Sequence, residues 1–168
     1  MTTIRKAKKS DSRSLLQLID ALADYEKLKR PSPAARKRLI NDAFGSKKRI
    51  NVFLAFADGK PVGYAIYFYT YSSFLALPTL YLEDLFVLEA YRKNKVGLGL
   101  FRACVAEAKK QKCGRMEWVV LDWNTPAIRF YDKLGAGHLK EWYTYRLTNA
   151  QMGTLLTATK QEKKLKKR

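Results

Sequence analysis

Histidine occurs once in this sequence, as His138, and cysteine twice, as Cys104 and Cys113. With a lone imidazole and no cysteine or carboxylate cluster beside it, neither a metal site nor a histidine-based catalytic triad is expected. The two cysteines stand nine positions apart. That fits neither a disulfide framework nor zinc-ligand spacing, so both are expected as reduced, packed thiols. Long apolar runs are also missing, since no stretch approaches the ~18 residues that a membrane span needs. The opening MTTIRKAKKSDSRSLL is basic but lacks the apolar run and small-residue cleavage site of a secretory signal. A cytoplasmic protein with no membrane partner is the expectation.

Acidic residues are scarce. Fifteen Asp and Glu face 33 Lys and Arg, for a formal net charge of +18. Such an excess concentrates anions such as nucleotides, phosphorylated cofactors or nucleic acid, without choosing among them. Residues 160–168 (KQEKKLKKR) carry six bases and one acid, so most of the excess belongs to the rest of the chain.

What is present suits one globular domain. The chain has 168 residues, 47% of them hydrophobic and 12% aromatic, enough to build a core without disulfides or metal. We expect a single domain over residues 1–158 and a basic, disordered tail over 159–168. Residues 4–6 read as a first strand, with Ser10 and Asp11 as candidate caps of a helix whose apolar stripe is Leu15, Leu16, Ile19, Leu22 and Ala23. PSPAARKRLINDAF predicts a second helix ending at Gly45. Strands follow at residues 51–57 and 61–71, joined by the turn pair Asp58 and Gly59, and a third at residues 80–88. Then come a helix over residues 97–112, a strand over 116–121 (MEWVVL), a helix opened by Thr125 and Pro126, and a last strand over 142–147 (WYTYRL). This order makes an α/β (α+β) fold, a mixed sheet flanked by helices.

The chemistry concentrates in one β-loop-α unit: the strand YLEDLFVL, the loop EAYRKNK and a helix opening at VGLGLF. A basic loop feeding a helix N-terminus suits an anionic phosphate, because unpaired backbone N–H groups and the helix dipole point at it. The same features also suit an ordinary connection with exposed lysines. Glu83 and Asp84 sit in an otherwise apolar strand, where unpaired charge is costly.

FVLEAYRKNKVGLGLF resembles the acetyl-CoA-binding motif of the GNAT acetyltransferase superfamily, an Arg or Gln, two variable residues, Gly, any residue, then Gly or Ala. Arg92 fills the first place and Gly97 the last, while Lys95 stands in place of the middle glycine. A second register takes Gly97 and Gly99 as the pair with Asn94 leading. The first is preferred because Leu100 and Phe101 then fall on the paired leucines of the family's helix. TLYLEDLFV, LDWNTPAIRFYDKLGA and LADYEKL are similar to the spermidine/spermine (diamine) and thialysine acetyltransferases within that superfamily.

The resemblance implies a GNAT fold with splayed strands at the cofactor cleft, acetyl-CoA as acyl donor, and direct transfer to the amine of a small substrate. It implies Tyr131 as general acid to the departing thiolate, although helical spacing alone reads that tyrosine as a core aromatic. Glu83 is implied as the group that binds the amine and relays its proton, against an ordinary ion pair on the solvent side of the strand. Leu85, Phe86 and Val87 are implied to meet the thioester and pantetheine, and Arg92, Lys93, Asn94, Lys95, Val96, Gly97 and Leu98 the pyrophosphate. Asn124, Thr125, Pro126 and Ala127 are implied to flank the far side of the coenzyme. Tyr25, Glu26, Glu117 and Trp118 are implied to line the acceptor channel.

Acids at Glu26, Glu83 and Glu117 in so basic a chain favour a cationic acceptor such as a polyamine or thialysine. A homodimer is the family's usual assembly. A protein or peptide acceptor stays open, because the fold does not fix the substrate. So does a binding protein for nucleic acid or the ribosome, motivated by the charge, and a GNAT fold that binds the coenzyme without turnover.

Overall fold

The computed structural model describes the backbone of residues 1–165 and the side-chain surroundings of residues 1–157. The chain divides into two compact units, Met1–Val119 and Val120–Arg168.

The first unit is a five-stranded sheet in the order β1-β2-β3-β4-β5, with β1 Thr2–Lys6, β2 Asn51–Ala57, β3 Lys60–Ser72, β4 Leu77–Val87 and β5 Arg115–Glu117. The first four strands are antiparallel neighbours, and β5 joins β4 in parallel. Asp58 and Gly59 make the β2–β3 turn, both with positive φ (48° and 77°). That is the requirement of a primed two-residue hairpin, met by Asp-Gly.

Helices cover both faces. The α1 helix, Ser12–Tyr25, places Leu15, Leu18 and Ile19 in a core with Ala43 of α2 (Pro33–Phe44) and with Val52, Leu54, Tyr64, Ile66 and Phe86 of the sheet. Ser32 caps α2 by accepting from the Ala35 amide at 3.3 Å. Asp11 does not cap α1. Its carboxylate instead takes Arg5 at 2.7 Å and the Lys8 amide at 2.7 Å. The α3 helix, Val96–Lys110, buries Leu100, Phe101, Cys104 and Ala108 as it packs on β3 and β4. Its Glu107, only 8% exposed, receives Lys6 of β1 at 3.1 Å. Where α3 passes β1, a Cβ on Gly99 would fall 2.4 Å from Ile4 Cδ1, so glycine permits that approach.

The second unit carries α4, Thr125–Lys133, and α5, Asn149–Leu165. The α4 cap is Asn124, whose side chain accepts from the Ala127 amide at 3.4 Å, so Thr125 and Pro126 are the first helical residues.

Two strand expectations are corrected. The strand expected over residues 116–121 is confined to Arg115–Glu117, and residues 142–147 form no strand. Aromatic and β-branched residues supply β-propensity, but a strand exists only where a neighbour completes its ladder. Residues 159–165 of the expected unstructured tail are helical in α5, and 166–168 lie outside the described residues.

Candidate active site

The centre of the first unit is the far half of β4. Its ladder with β5 covers only Thr79, Leu80 and Tyr81, paired with Arg115, Met116 and Glu117. From Leu82 to Val87, among the described residues, β4 has a partner only on the β3 side. Its other edge therefore offers backbone groups of alternate residues, Leu85 and Val87 among them, while the Phe86 carbonyl lies against Gly63 of β3.

The β3–β4 register slips beside this edge, since Ile66 faces Asp84 while Tyr67 faces Leu82. Glu83 is the extra residue of a bulge, a device that re-aims side chains and unpairs backbone. The two adjacent carboxylates are thereby separated in environment. Glu83 is exposed, whereas Asp84 lies half-buried on the α1 face, where Tyr64 Oη donates to its Oδ2 at 3.2 Å. Burial pushes the Asp84 carboxyl up to about 6, with the Glu83 charge adding to the rise and the Tyr64 bond opposing it. Burial likewise drives the Tyr64 hydroxyl well above its usual range, with Asp84 contributing. Glu26, at the C-cap of α1, has its carboxyl raised by burial, and it adds to the rise at Asp84. Glu26, Glu83 and Asp84 thus form one interacting acidic group.

After β4 a 3-10 turn, Glu89–Tyr91, leads to Arg92, and α3 begins at Val96. The Arg92 amide is satisfied by Glu89 O at 3.0 Å, and the first intrahelical bond of α3 runs from the Gly99 amide to Lys95 O. Between them, the amides from Lys93 through Leu98 have no acceptor among the described residues. Lys93 and Lys95 hold left-handed backbone, with φ of 66° and 60°. This conformation favours glycine and costs an L-residue roughly 1–2 kcal/mol. Left-handed residues in a loop, followed by amides without acceptors at a helix start, are the elements from which an anion site is built.

The Arg92 guanidinium contacts the end of β4 and the Tyr25 and Phe86 rings. Its Nε donates to Val87 O at 3.0 Å and its Cζ lies 4.6 Å from the centroid of the Tyr25 ring and 5.8 Å from that of Phe86. Tyr25 and Phe86 lie tilted at 6.4 Å, and Phe86 and Tyr64 at 6.2 Å.

The remaining sequence-derived candidates fall in two places. Glu117 ends β5, opposite Tyr81, and pairs with Arg115 at 2.9 Å. Trp118 meets Phe101 edge-on at 5.3 Å. Asn124, Thr125, Pro126, Ala127 and Tyr131 all belong to the second unit, where the Tyr131 ring lies 5.3 Å from Phe130. Sequence reasoning missed Tyr64, which sits inside the aromatic run YAIYFYTY and carries no signal that separates a hydroxyl bound to Asp84 from a core ring.

Comparison with known proteins gives a consistent picture. Residues 15–136 match the Acetyltransferase (GNAT) family. Thialysine N-epsilon-acetyltransferase of Sus scrofa is 32% identical over 163 residues, covering 90% of this chain and 95% of that protein. L-ornithine N5-acetyltransferase of Arabidopsis thaliana is 45% identical over 86 residues, 51% of this chain but only 38% of the plant protein. Among solved structures, an integron cassette protein from V. cholerae superposes with a TM-score of 0.77 at 24% identity, covering 92% of this chain and 97% of its own. An aminoglycoside N-acetyltransferase solved in complex with CoA gives 0.73 at 21% identity, covering 88% and 95%.

Proposed function

The chain belongs to the acetyltransferase (GNAT) family, and we propose that it carries an acetyl group from acetyl-CoA to an amine of a small cationic acceptor of the thialysine, ornithine or polyamine kind. The observation that carries this reading is the run of amides from Lys93 through Leu98 without acceptors, directly after the open edge of β4. A diphosphate is a good occupant of such an array, since each phosphate oxygen accepts several N–H bonds at a positive helix end. The Lys93 and Lys95 side chains add cations at the same loop. In the stretch from Leu85 to Val87, alternate residues supply main-chain donors along the open edge, where an amide held at the carbonyl oxygen stabilises its developing negative charge, and the Phe86 side chain lines the same end of β4. In this reading Asn124, Thr125, Pro126 and Ala127 bind the remainder of the coenzyme.

Bound acetyl-CoA supplies an activated thioester. The acceptor amine is mostly protonated at neutral pH and attacks only when neutral. Glu83, exposed beside the half-buried carboxyl of Asp84, is assigned to hold the ammonium and take its proton, directly or through water. Tyr25, Glu26, Glu117 and Trp118 are assigned to the acceptor channel, where carboxylates select a cation. Tyr131 is assigned as the acid that protonates the leaving thiolate. The aromatic and apolar tip of the β3–β4 hairpin, with Tyr71, Phe74 and Leu75 exposed, supports a homodimer in the same reading.

Thiol release from acetyl-CoA across thialysine, ornithine, spermidine, lysine and basic peptides tests the proposal. Release that depends on one of the small diamines is expected, with Tyr131→Phe lowering kcat about a hundredfold while coenzyme binding holds. No acceptor-dependent release from any amine, or an unimpaired Tyr131→Phe, would refute it.

A further inference from the structure

The leading arginine of the loop has a geometry that does not suit a phosphate ligand. Arg92 is half-buried, its Nε is committed to Val87 O at 3.0 Å, and its guanidinium lies 4.6 Å from the Tyr25 ring centroid. Tyr25 is the last residue of α1, Glu26 follows it at the C-cap, and the Tyr25 ring continues through Phe86 to Tyr64, which holds Asp84. One side chain thus joins the start of the loop to the wall that carries the acidic group. Its Nε and the face of its guanidinium are thereby committed to Val87 O and the Tyr25 ring. The loop carries other candidates for an anion, the cations of Lys93 and Lys95 and the amides without acceptors.

We propose that the Arg92 side chain is a positioning residue for the acceptor wall, fixing Tyr25 and the end of β4, and that it is not a ligand of the coenzyme phosphates. The inference rests on the acetyltransferase reading for its kinetic consequences but not for its contact. Arg92 holds the Tyr25 ring and, through the chain, the Glu26 carboxyl in register with Glu83 and Asp84. Losing it lets the α1 end drift and weakens amine capture, while the donors for the coenzyme remain.

The test compares Arg92→Met, Arg92→Lys, Tyr25→Leu and the Arg92→Met/Tyr25→Leu pair, each confirmed folded by its melting curve. Acetyl-CoA affinity is measured by calorimetry and amine KM by thiol release at saturating acetyl-CoA. Arg92→Met is expected to raise the amine KM about fivefold, the worth of one desolvated cation–ring contact, with the acetyl-CoA Kd changed by less than about twofold. Arg92→Lys should recover part of the loss, and the Met and Leu substitutions should fail to add, since they remove one contact. Acetyl-CoA affinity falling as much as amine KM rises, or two effects that add independently, overturns the proposal. Protein labelled with 3-fluorotyrosine, its Tyr25 resonance assigned by Tyr25→Phe, gives a readout without turnover. That resonance should shift in Arg92→Met, and an unmoved resonance also overturns it. Should the parent protein acetylate no amine, the functional reading fails while the fluorine and calorimetric results still decide the role of Arg92.

Discussion

Asp84 shows how one side chain can carry two demands. Its carboxyl is half-buried beside Tyr64 and raised from 3.8 to about 6. Between those values the native state keeps a proton that the unfolded chain has released, so stability falls as pH rises through this window. Asp84→Asn keeps an acceptor for the Tyr64 hydroxyl and removes the charge. It should match the parent in stability near pH 4 and exceed it by roughly 2 kcal/mol at pH 7. Urea unfolding at the two pH values checks this, and an identical pH dependence in parent and variant would show that Asp84 is not held as described. The sequence shows two carboxylates in an apolar strand and says that they need an explanation. It does not show which is the more buried, because that is set by the bulge at Glu83, a property of pairing with β3 rather than of the residues themselves.

Among the elements, the loop between β4 and α3 carries the clearest conflict between local preference and position. Lys93 and Lys95 occupy left-handed backbone, a conformation held only where its surroundings enforce it. Lys95→Gly should relieve the strain and raise stability by about 1 kcal/mol. It should also weaken acetyl-CoA binding several-fold, because a cation leaves the phosphate site. Thermal melting and calorimetry read the two effects, and tighter coenzyme binding in the variant would mean that Lys95 obstructs the cradle instead of serving it. The loop and the helix after it were legible because basic residues, glycines and an apolar stripe occur at fixed spacing. The strands β2, β3 and β4 were legible from their runs of aromatic and β-branched residues, with the Asp58–Gly59 pair marking the turn from β2 to β3. The stretch WYTYRL misled, since its aromatic residues satisfy strand propensity although residues 142–147 form no strand.

For the whole molecule, the charge of +18 is a long-range field acting on every ligand. An anionic coenzyme is drawn in, so its KM should rise several-fold between about 0.05 and 0.5 M salt as the field is screened. The KM of an uncharged acetyl thioester such as S-acetyl-N-acetylcysteamine should stay level. A salt effect equal for both donors would place the dependence in the chemistry instead of the field. No helix among the described residues is long and apolar enough to cross a membrane. Composition alone left a nucleic-acid partner open beside the acetyltransferase. The residues that carry the acetyltransferase reading, the open edge of β4 and the loop after it, are a small part of the chain.

The most direct measurement is a CoA titration of 15N-labelled protein followed amide by amide. The amides from Lys93 through Leu98 should shift most, together with those on the free edge of β4 from Leu85 to Val87. Shifts that avoid this loop, or saturation without any change there, would contradict the account at its root.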